Sequence, residues 1–335
     1  MIEALLYEKL DKRSVHCFLC SHHCTIALGA FGFCGVRQNM DGVLYSHVYG
    51  KLVAANIDPI EKKPLYHFLP DSSSFSIATV GCNFRCGFCQ NWEFSQESAK
   101  KGPLTTEEVP AEEVINAALK SKSQSIAYTY NEPTVFFEYA LEVMKLAKAG
   151  NLRNVFVTNG FMTPECLQMA KPYLDGANAD LKFFNDASYQ KVCAGSLQPV
   201  LDSIRLMRQM GVWVEVTTLV IPGENDSEEE LKGIAEFIAG IDAFTPWHIS
   251  RFHPDYRFEE HSATPEKSLK KAMEIGKDAG LRYVYAGNVY GWGNDTFCHG
   301  CKKLLIKREG FSILENHVAG GKCSYCGVVI PGVFV

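Results

Sequence analysis

The run Gly81-Cys82-Asn83-Phe84-Arg85-Cys86-Gly87-Phe88-Cys89-Gln90 places three cysteines at C-x3-C-x2-C spacing. Three thiolates close neither a tetrahedral zinc site nor a four-iron cube, since each takes four. A cube held by three leaves one iron open to a substrate or cofactor, and an open coordination position marks a catalytic metal. The triplet therefore proposes an enzyme. The competing reading is a zinc site completed from elsewhere, or chance in a cysteine-rich chain.

The chain has 335 residues and 13 cysteines. Disulfides are rare in the cytosol, so clustered cysteines there more often bind metal. They divide into Cys17, Cys20, Cys24 and Cys34, then the triplet, then Cys298, Cys301, Cys323 and Cys326, with Cys166 and Cys193 left over. Cys298-x2-Cys301 and Cys323-x2-Cys326 are two knuckles at the spacing of tetrahedral zinc, and a metal would supply folding energy to a segment too short for a core of its own. That predicts a structural zinc ribbon, with a rubredoxin-like iron site as the lesser reading. Cys17, Cys20, Cys24 and Cys34 fit zinc or an auxiliary [4Fe–4S] cluster, and His16, His22 or His23 could replace one of them. Cys166 reads as a buried small apolar residue, and Cys193 reads the same way, with a place facing the cavity as its lesser reading.

Hydrophobic residues make up 47% and charged residues 21%, with a net charge of -5. This balance suits a globular chain and argues against a general nucleic-acid binder, which shows a basic face. No apolar run reaches membrane-spanning length, and the acid at Glu3 speaks against a signal peptide, so the expected location is cytoplasmic.

From residue 74 the pattern alternates strand and helix. Strands are expected at Phe75–Val80, Ile126–Tyr130, Val155–Thr158, Ala177–Leu181, Trp213–Val220 and His248–Phe252, with a last short one at Tyr283–Ala286. Alternation predicts an α/β fold with a parallel sheet, here a partial (βα)6 TIM-like barrel. The expected divisions are 1–72, a cysteine-rich module and linker; 73–290, the barrel; and 291–335, the ribbon-like module. The three prolines of Asp58–Pro70 predict an extended connection ahead of the barrel. Chemistry in such sheets sits at the carboxyl ends of strands, where the triplet, Asn131-Glu132, Thr158-Asn159 and Asp180-x-Lys182 all fall. Tyr128, Tyr130, His248, Arg251, His253 and Tyr285 are lesser candidates to line the mouth.

The triplet with Phe88 before its last cysteine resembles the loop of the radical S-adenosylmethionine (SAM) superfamily. The resemblance implies a [4Fe–4S] cluster on Cys82, Cys86 and Cys89 that binds SAM and cleaves it to methionine and a 5'-deoxyadenosyl radical. Further motifs are similar to the activating-enzyme branch typified by the activase of pyruvate formate-lyase. Tyr130-Asn131-Glu132-Pro133 stands where that branch has Gly-Gly-Glu-Pro, and Thr158-Asn159-Gly160 and Asp180-Leu181-Lys182 match. The implied SAM-binding residues are Phe88, Asn131, Glu132, Thr158, Asn159, Asp180 and Lys182, with the last two on the charged ends of the methionine. Over nearly its whole length the chain resembles the radical SAM enzyme of the AmmeMemoRadiSam system. That likeness implies an electron donor such as flavodoxin or ferredoxin, and Memo-like and AMMECR1-like proteins as partners. The leading expectation is hydrogen abstraction from a small molecule or a peptide or protein. A glycyl-radical enzyme activase competes with it, as does a non-catalytic iron–sulfur or zinc scaffold or electron carrier.

Overall fold

The computed structural model describes residues 1–97 and 107–335. Two small antiparallel sheets open the chain. One joins β1 (Ile2–Glu3), β6 (Val43–Ser46) and β5 (Arg37–Met40), and the other joins β2 (Tyr7–Lys9), β3 (Val15–Cys17) and β4 (Cys24–Ile26). Both fold around Val15, Leu19, Ile26, Val36 and Leu44, which are buried.

The central sheet has eight strands in the order β14-β13-β12-β11-β10-β9-β8-β7. Its first member, β7 (Ala54–Pro59), lies ahead of the predicted barrel and pairs antiparallel with β8 (Ser73–Ala78). The rest run parallel: β9 (Ser125–Tyr128), β10 (Arg153–Thr158), β11 (Gly176–Asp180), β12 (Trp213–Val220), β13 (Trp247–Arg251) and β14 (Val284–Gly287). The crossovers that parallel pairing demands are α1 (Ala111–Lys120), α2 (Phe137–Ala149), α3 (Pro164–Ala170), the short α4 (Asp186–Ser188), α5 (Leu197–Gln209), α6 (Glu228–Ile241) and α7 (Glu266–Asp278). Every residue of β9 is buried, as expected of a strand covered on both faces. The sheet stays open between β7 and β14, yet it curls enough for Cys82 after β8 and Gly287 at the end of β14 to line one cavity. The partial barrel is thus observed, with the last short strand included.

The extended connection ends early. After β7 the chain turns through Ile60–Lys62, and the backbone N–H groups of Tyr66 and His67 donate to buried Glu215 of β12 at 3.0 and 2.8 Å. A carboxylate in mid-strand is costly unless satisfied. Trp213 Nε1 and His248 Nε2 meet it as well, at 3.0 and 2.6 Å. Burial works against its charge, but His248 and His67 outweigh that and hold the carboxyl below its ordinary value.

The final segment carries β15 (Thr296–Phe297), β16 (Leu304–Glu309), β17 (Ser312–Asn316), β18 (Val318–Ala319) and β19 (Lys322–Cys323). It docks on the barrel through Arg308, whose buried guanidinium donates to the Tyr66 carbonyl at 2.9 Å and to Thr296 Oγ1 at 2.8 Å. Tyr66 and Tyr285 pack with Leu305, Ile306 and Ile330 in the same cluster.

Candidate active site

One cavity of about 730 Å³ opens at the carboxyl ends of the parallel strands. Cys82, Cys86, Phe88, Cys89, Asn131, Glu132, Thr158, Asn159, Asp180 and Lys182 all line it. Residues spread over about a hundred positions of sequence therefore meet, because each follows a strand of the same sheet.

The triplet loop leaves β8 at Ala78 and is nearly buried, with Cys82 9% and Cys86 7% exposed. Phe84 N–H points at Cys82 Sγ at 3.4 Å, and Ser95 Oγ lies 3.2 Å from Cys89 Sγ. Burial pushes the Cys82 and Cys89 thiols up; at Cys86 a hydrogen bond with Cys193 leads and burial follows. Cys193, read from sequence as a small core residue, is fully buried but sits against the cluster loop, and its carbonyl accepts from Arg85 N–H at 2.7 Å.

Glu132 ties two strand ends together. Its carboxylate accepts from Thr134 Oγ1 at 2.5 Å, Thr158 Oγ1 at 2.8 Å and Asn159 N–H at 2.8 Å. Burial raises its carboxyl above the ordinary value, and these donors pull the other way. With its oxygens engaged, Glu132 shapes the turn, and Asn131 faces the cavity. Asn131 Nδ2 donates to the Gly81 carbonyl at 2.9 Å, while its Oδ1 is buried without a partner. Tyr130 takes φ +66, the left-handed region that glycine adopts freely. Asn159 spans from the third strand end to the cluster loop, donating to Asn83 Oδ1 at 2.7 Å.

Lys182 Nζ meets Asp180 Oδ2 at 2.7 Å and lies 5.8 Å from the Phe88 ring centre. Burial opposes its charge, but Asp180, Cys86 and Cys193 outweigh that and hold the ammonium well above its ordinary value. The pair offers one carboxylate and one ammonium to a zwitterion. Three thiols with one orphaned acceptor and this charge pair suit a three-cysteine iron–sulfur cluster and the amino acid end of SAM.

The lesser candidates divide. Tyr130 and His248 line the cavity. Tyr128 is buried on Asn154, Arg251 Nε donates to the Thr264 carbonyl, His253 is exposed, and Tyr285 hydroxyl meets His67 Nε2 at 2.6 Å. Asn91, Ser95 and Thr217 line the cavity and escaped the sequence reading, since single polar residues in loops or strands carry no spacing signal. The far wall includes Gly310 and Phe311, at the turn between β16 and β17, so the final segment also shapes the site.

The four C-terminal cysteines converge. Their sulfurs all lie within 4.8 Å of one another, with Cys298–Cys326 at 3.7 Å and Cys301–Cys323 at 3.8 Å. Cys17, Cys20, Cys24 and Cys34 line a second, small cavity against Thr134 and Val135. His22 is no substitute ligand there; its Nε2 meets the Asn83 carbonyl at 2.6 Å.

A three-cysteine loop at the first strand end, with charged and amide groups from the next three, is an arrangement that suits an enzyme with an iron–sulfur cluster. The family model for the radical SAM superfamily matches residues 76–238. Over 331 residues the chain is 43% identical to MJ0808 of Methanocaldococcus jannaschii, covering 98% of both chains. It is 21% identical to the pyruvate formate-lyase-activating enzyme of Clostridium pasteurianum, over 59% of this chain and 87% of that one. The structure of SuiB from Streptococcus suis, bound to its precursor peptide SuiA, shares the fold at a TM-score of 0.52 and 12% identity, over 69% of this chain and 51% of that one. The chain belongs to the radical SAM superfamily and is a radical SAM enzyme related to the glycyl-radical activases. Among the described residues no helix is long and apolar enough to cross a membrane.

Proposed function

We propose that Cys82, Cys86 and Cys89 hold a [4Fe–4S] cluster, and that Phe88, Asn131, Glu132, Thr158, Asn159, Asp180 and Lys182 form the seat of SAM beside it. The observation that carries this reading is the convergence of all ten residues on one cavity at the carboxyl ends of the parallel strands. When bound, the cluster supplies the electron that splits SAM into methionine and a 5'-deoxyadenosyl radical, which takes a hydrogen atom from the substrate. Asn131 would line the amino-group side of the seat, its side chain fixed to the cysteine loop through the Gly81 carbonyl. Lys182 and Asp180 complement the carboxylate and ammonium charges, and Glu132 holds the two loops of the seat in register. Phe88, 5% exposed, shields the cysteine loop from water. Pockets for small molecules run from about 300 to 1,000 Å³, so this cavity accommodates SAM with a small molecule or one peptide side chain above it.

The relatives named as activases support one alternative substrate, a backbone glycine of a partner enzyme. A low-potential donor such as flavodoxin or ferredoxin is the proposed reductant, Memo-like and AMMECR1-like proteins are the proposed partners, and the cytoplasm is the proposed location. Zinc is the proposed metal of the C-terminal four. Zn–S bonds of about 2.3 Å set tetrahedral sulfurs about 3.8 Å apart, and the Cys298–Cys326 and Cys301–Cys323 separations are 3.7 and 3.8 Å.

The test is anaerobic reconstitution followed by dithionite and SAM. Release of 5'-deoxyadenosine is expected. A cluster-replete protein that releases none would overturn the reading. A stable glycyl signal in a mixed partner enzyme would select the activase alternative.

A further inference from the structure

We propose that Cys17, Cys20, Cys24 and Cys34 hold a second iron–sulfur cluster, not zinc, set directly behind the catalytic loop to pass it electrons.

The pairing of β3 with β4 puts Cys17 opposite Cys24. Cys20 and Cys34 complete a ring of thiols around a cavity of about 20 Å³ that is otherwise apolar apart from Arg37 and Thr134. A cavity of that size admits a water-sized sphere, for which about 10–15 Å³ suffices. A zinc tetrathiolate leaves no such room, because its sulfurs lie about 2.3 Å from the metal. The C-terminal four provide the comparison within the same molecule. Among the described residues, theirs is the one set of three or more metal-binding side chains with ligand atoms within 4.8 Å of one another. Neither the N-terminal thiols nor Cys82, Cys86 and Cys89 form such a set, and the sulfur ligands of a four-iron cube stand farther apart than those of a single zinc ion.

The charge around the cavity fits the same reading. Arg37 is 2% exposed, with Nη1 3.9 Å from Cys17 Sγ, and its guanidinium is ion-paired to Glu138 of α2. A fixed buried cation offsets thiolate charge and favours the more negative, reduced state of a cluster.

The module is pressed against the catalytic loop. Gly81, immediately before Cys82, has φ +90, and a Cβ there would lie 2.5 Å from Val36 Cγ1 and 3.0 Å from the Cys34 carbonyl oxygen. His22 bonds the Asn83 carbonyl and packs on Phe33 and Phe161 at 4.1 and 5.0 Å. Arg85 donates to the Phe33 carbonyl. The residues flanking Cys82 thus touch the module that carries the four thiols. In the transfer, a low-potential flavin or iron–sulfur donor loses one electron. The N-terminal cluster gains it and hands it to the cluster on the triplet, and no bond or proton changes.

The metal assignment stands apart from the SAM reading; only the transfer rests on it. The full chain carrying Cys82→Ala, Cys86→Ala and Cys89→Ala, prepared anaerobically, is expected to keep iron and sulfide, and to show a paramagnetic signal on reduction. Adding Cys20→Ser and Cys34→Ser should abolish both. Zinc without iron in the triple variant would overturn the proposal. For the transfer, Cys20→Ser in an otherwise intact chain should leave reduction of the catalytic cluster by dithionite unchanged while slowing reduction by flavodoxin severalfold. Equal rates with flavodoxin would overturn the relay. Should Cys20→Ser fail to fold, Arg37→Gln replaces it. That variant should keep iron in the triple-alanine background with a lower cluster potential, and an unchanged potential would count against the proposal.

Discussion

The Tyr130 hydroxyl donates to the Asp58 carboxylate, and this bond holds a left-handed tyrosine in the turn after β9, a conformation that glycine adopts freely. Lys63 Nζ stacks 4.5 Å from the same ring and meets Asp58 at 2.7 Å. A non-glycine residue in this region costs on the order of 1 kcal/mol, and the contacts with β7 and the turn behind it offset that cost. Tyr130→Gly is expected to retain SAM binding, whereas Asp58→Ala, which strands buried Lys63, should destabilise the fold by about 3 kcal/mol. Urea unfolding of the two variants measures the difference.

The same group sets an acid limit. Burial opposes the Asp58 charge, but Lys62, Lys63 and Tyr130 hold its carboxyl well below the ordinary value. A depressed carboxyl contributes stability that is whole above the unfolded value, near pH 4, and is lost as pH falls below it toward the folded value. Stability should therefore drop between roughly pH 4 and 2, and Asp58→Asn should flatten that part of the profile.

Removing Glu132 unties Thr134, Thr158 and Asn159 at once. Glu132→Ala is expected to cost about 2–3 kcal/mol, since it leaves several buried donors unsatisfied. Asp180→Asn should instead leave stability near wild type and weaken SAM binding about tenfold to a hundredfold, the worth of one charged hydrogen bond. Calorimetry on reconstituted protein separates the two effects.

Much of this site is legible in sequence because its residues are displaced copies of one rule, a polar group just past each parallel strand. Trp213–Val220 is found to the residue, since Gly211 and Pro222 bracket an apolar β-branched run. The strand Ala54–Pro59 is not found; it is an exposed edge with alanines and a proline and no alternating apolar pattern. Helix Ala111–Lys120 falls outside the predicted elements, although Val114, Ile115 and Ala118 carry a helical stripe that marks it. Spacing counts thiolates but does not measure their separation, so the distinction between the two groups of four appears only in three dimensions.

The C-terminal metal should be pH-sensitive. Desolvation opposes the Cys323 thiolate, but hydrogen bonds from the Tyr325 and Cys326 backbone and neighbouring thiols bring it down to about 7. At Cys326 a backbone hydrogen bond from Val328 favours the thiolate, but desolvation and hydrogen bonds to the neighbouring thiols outweigh it and hold the thiol up. Metal binds the deprotonated form, so affinity should fall progressively as pH drops. Chelation should expose β15 to β19 in hydrogen exchange while the parallel strands stay protected.

Cys86→Ala should lose the iron of the proposed catalytic cluster while the metal proposed at Cys298, Cys301, Cys323 and Cys326 persists. Metal analysis beside wild type is the check.

The most direct test of an open iron on Cys82, Cys86 and Cys89 is electron–nuclear double resonance on the reduced cluster with SAM labelled at its amino nitrogen and carboxylate oxygen. Hyperfine coupling from both labels to the cluster is the predicted result. A reduced, three-cysteine cluster that binds SAM with no coupling from either label would contradict it.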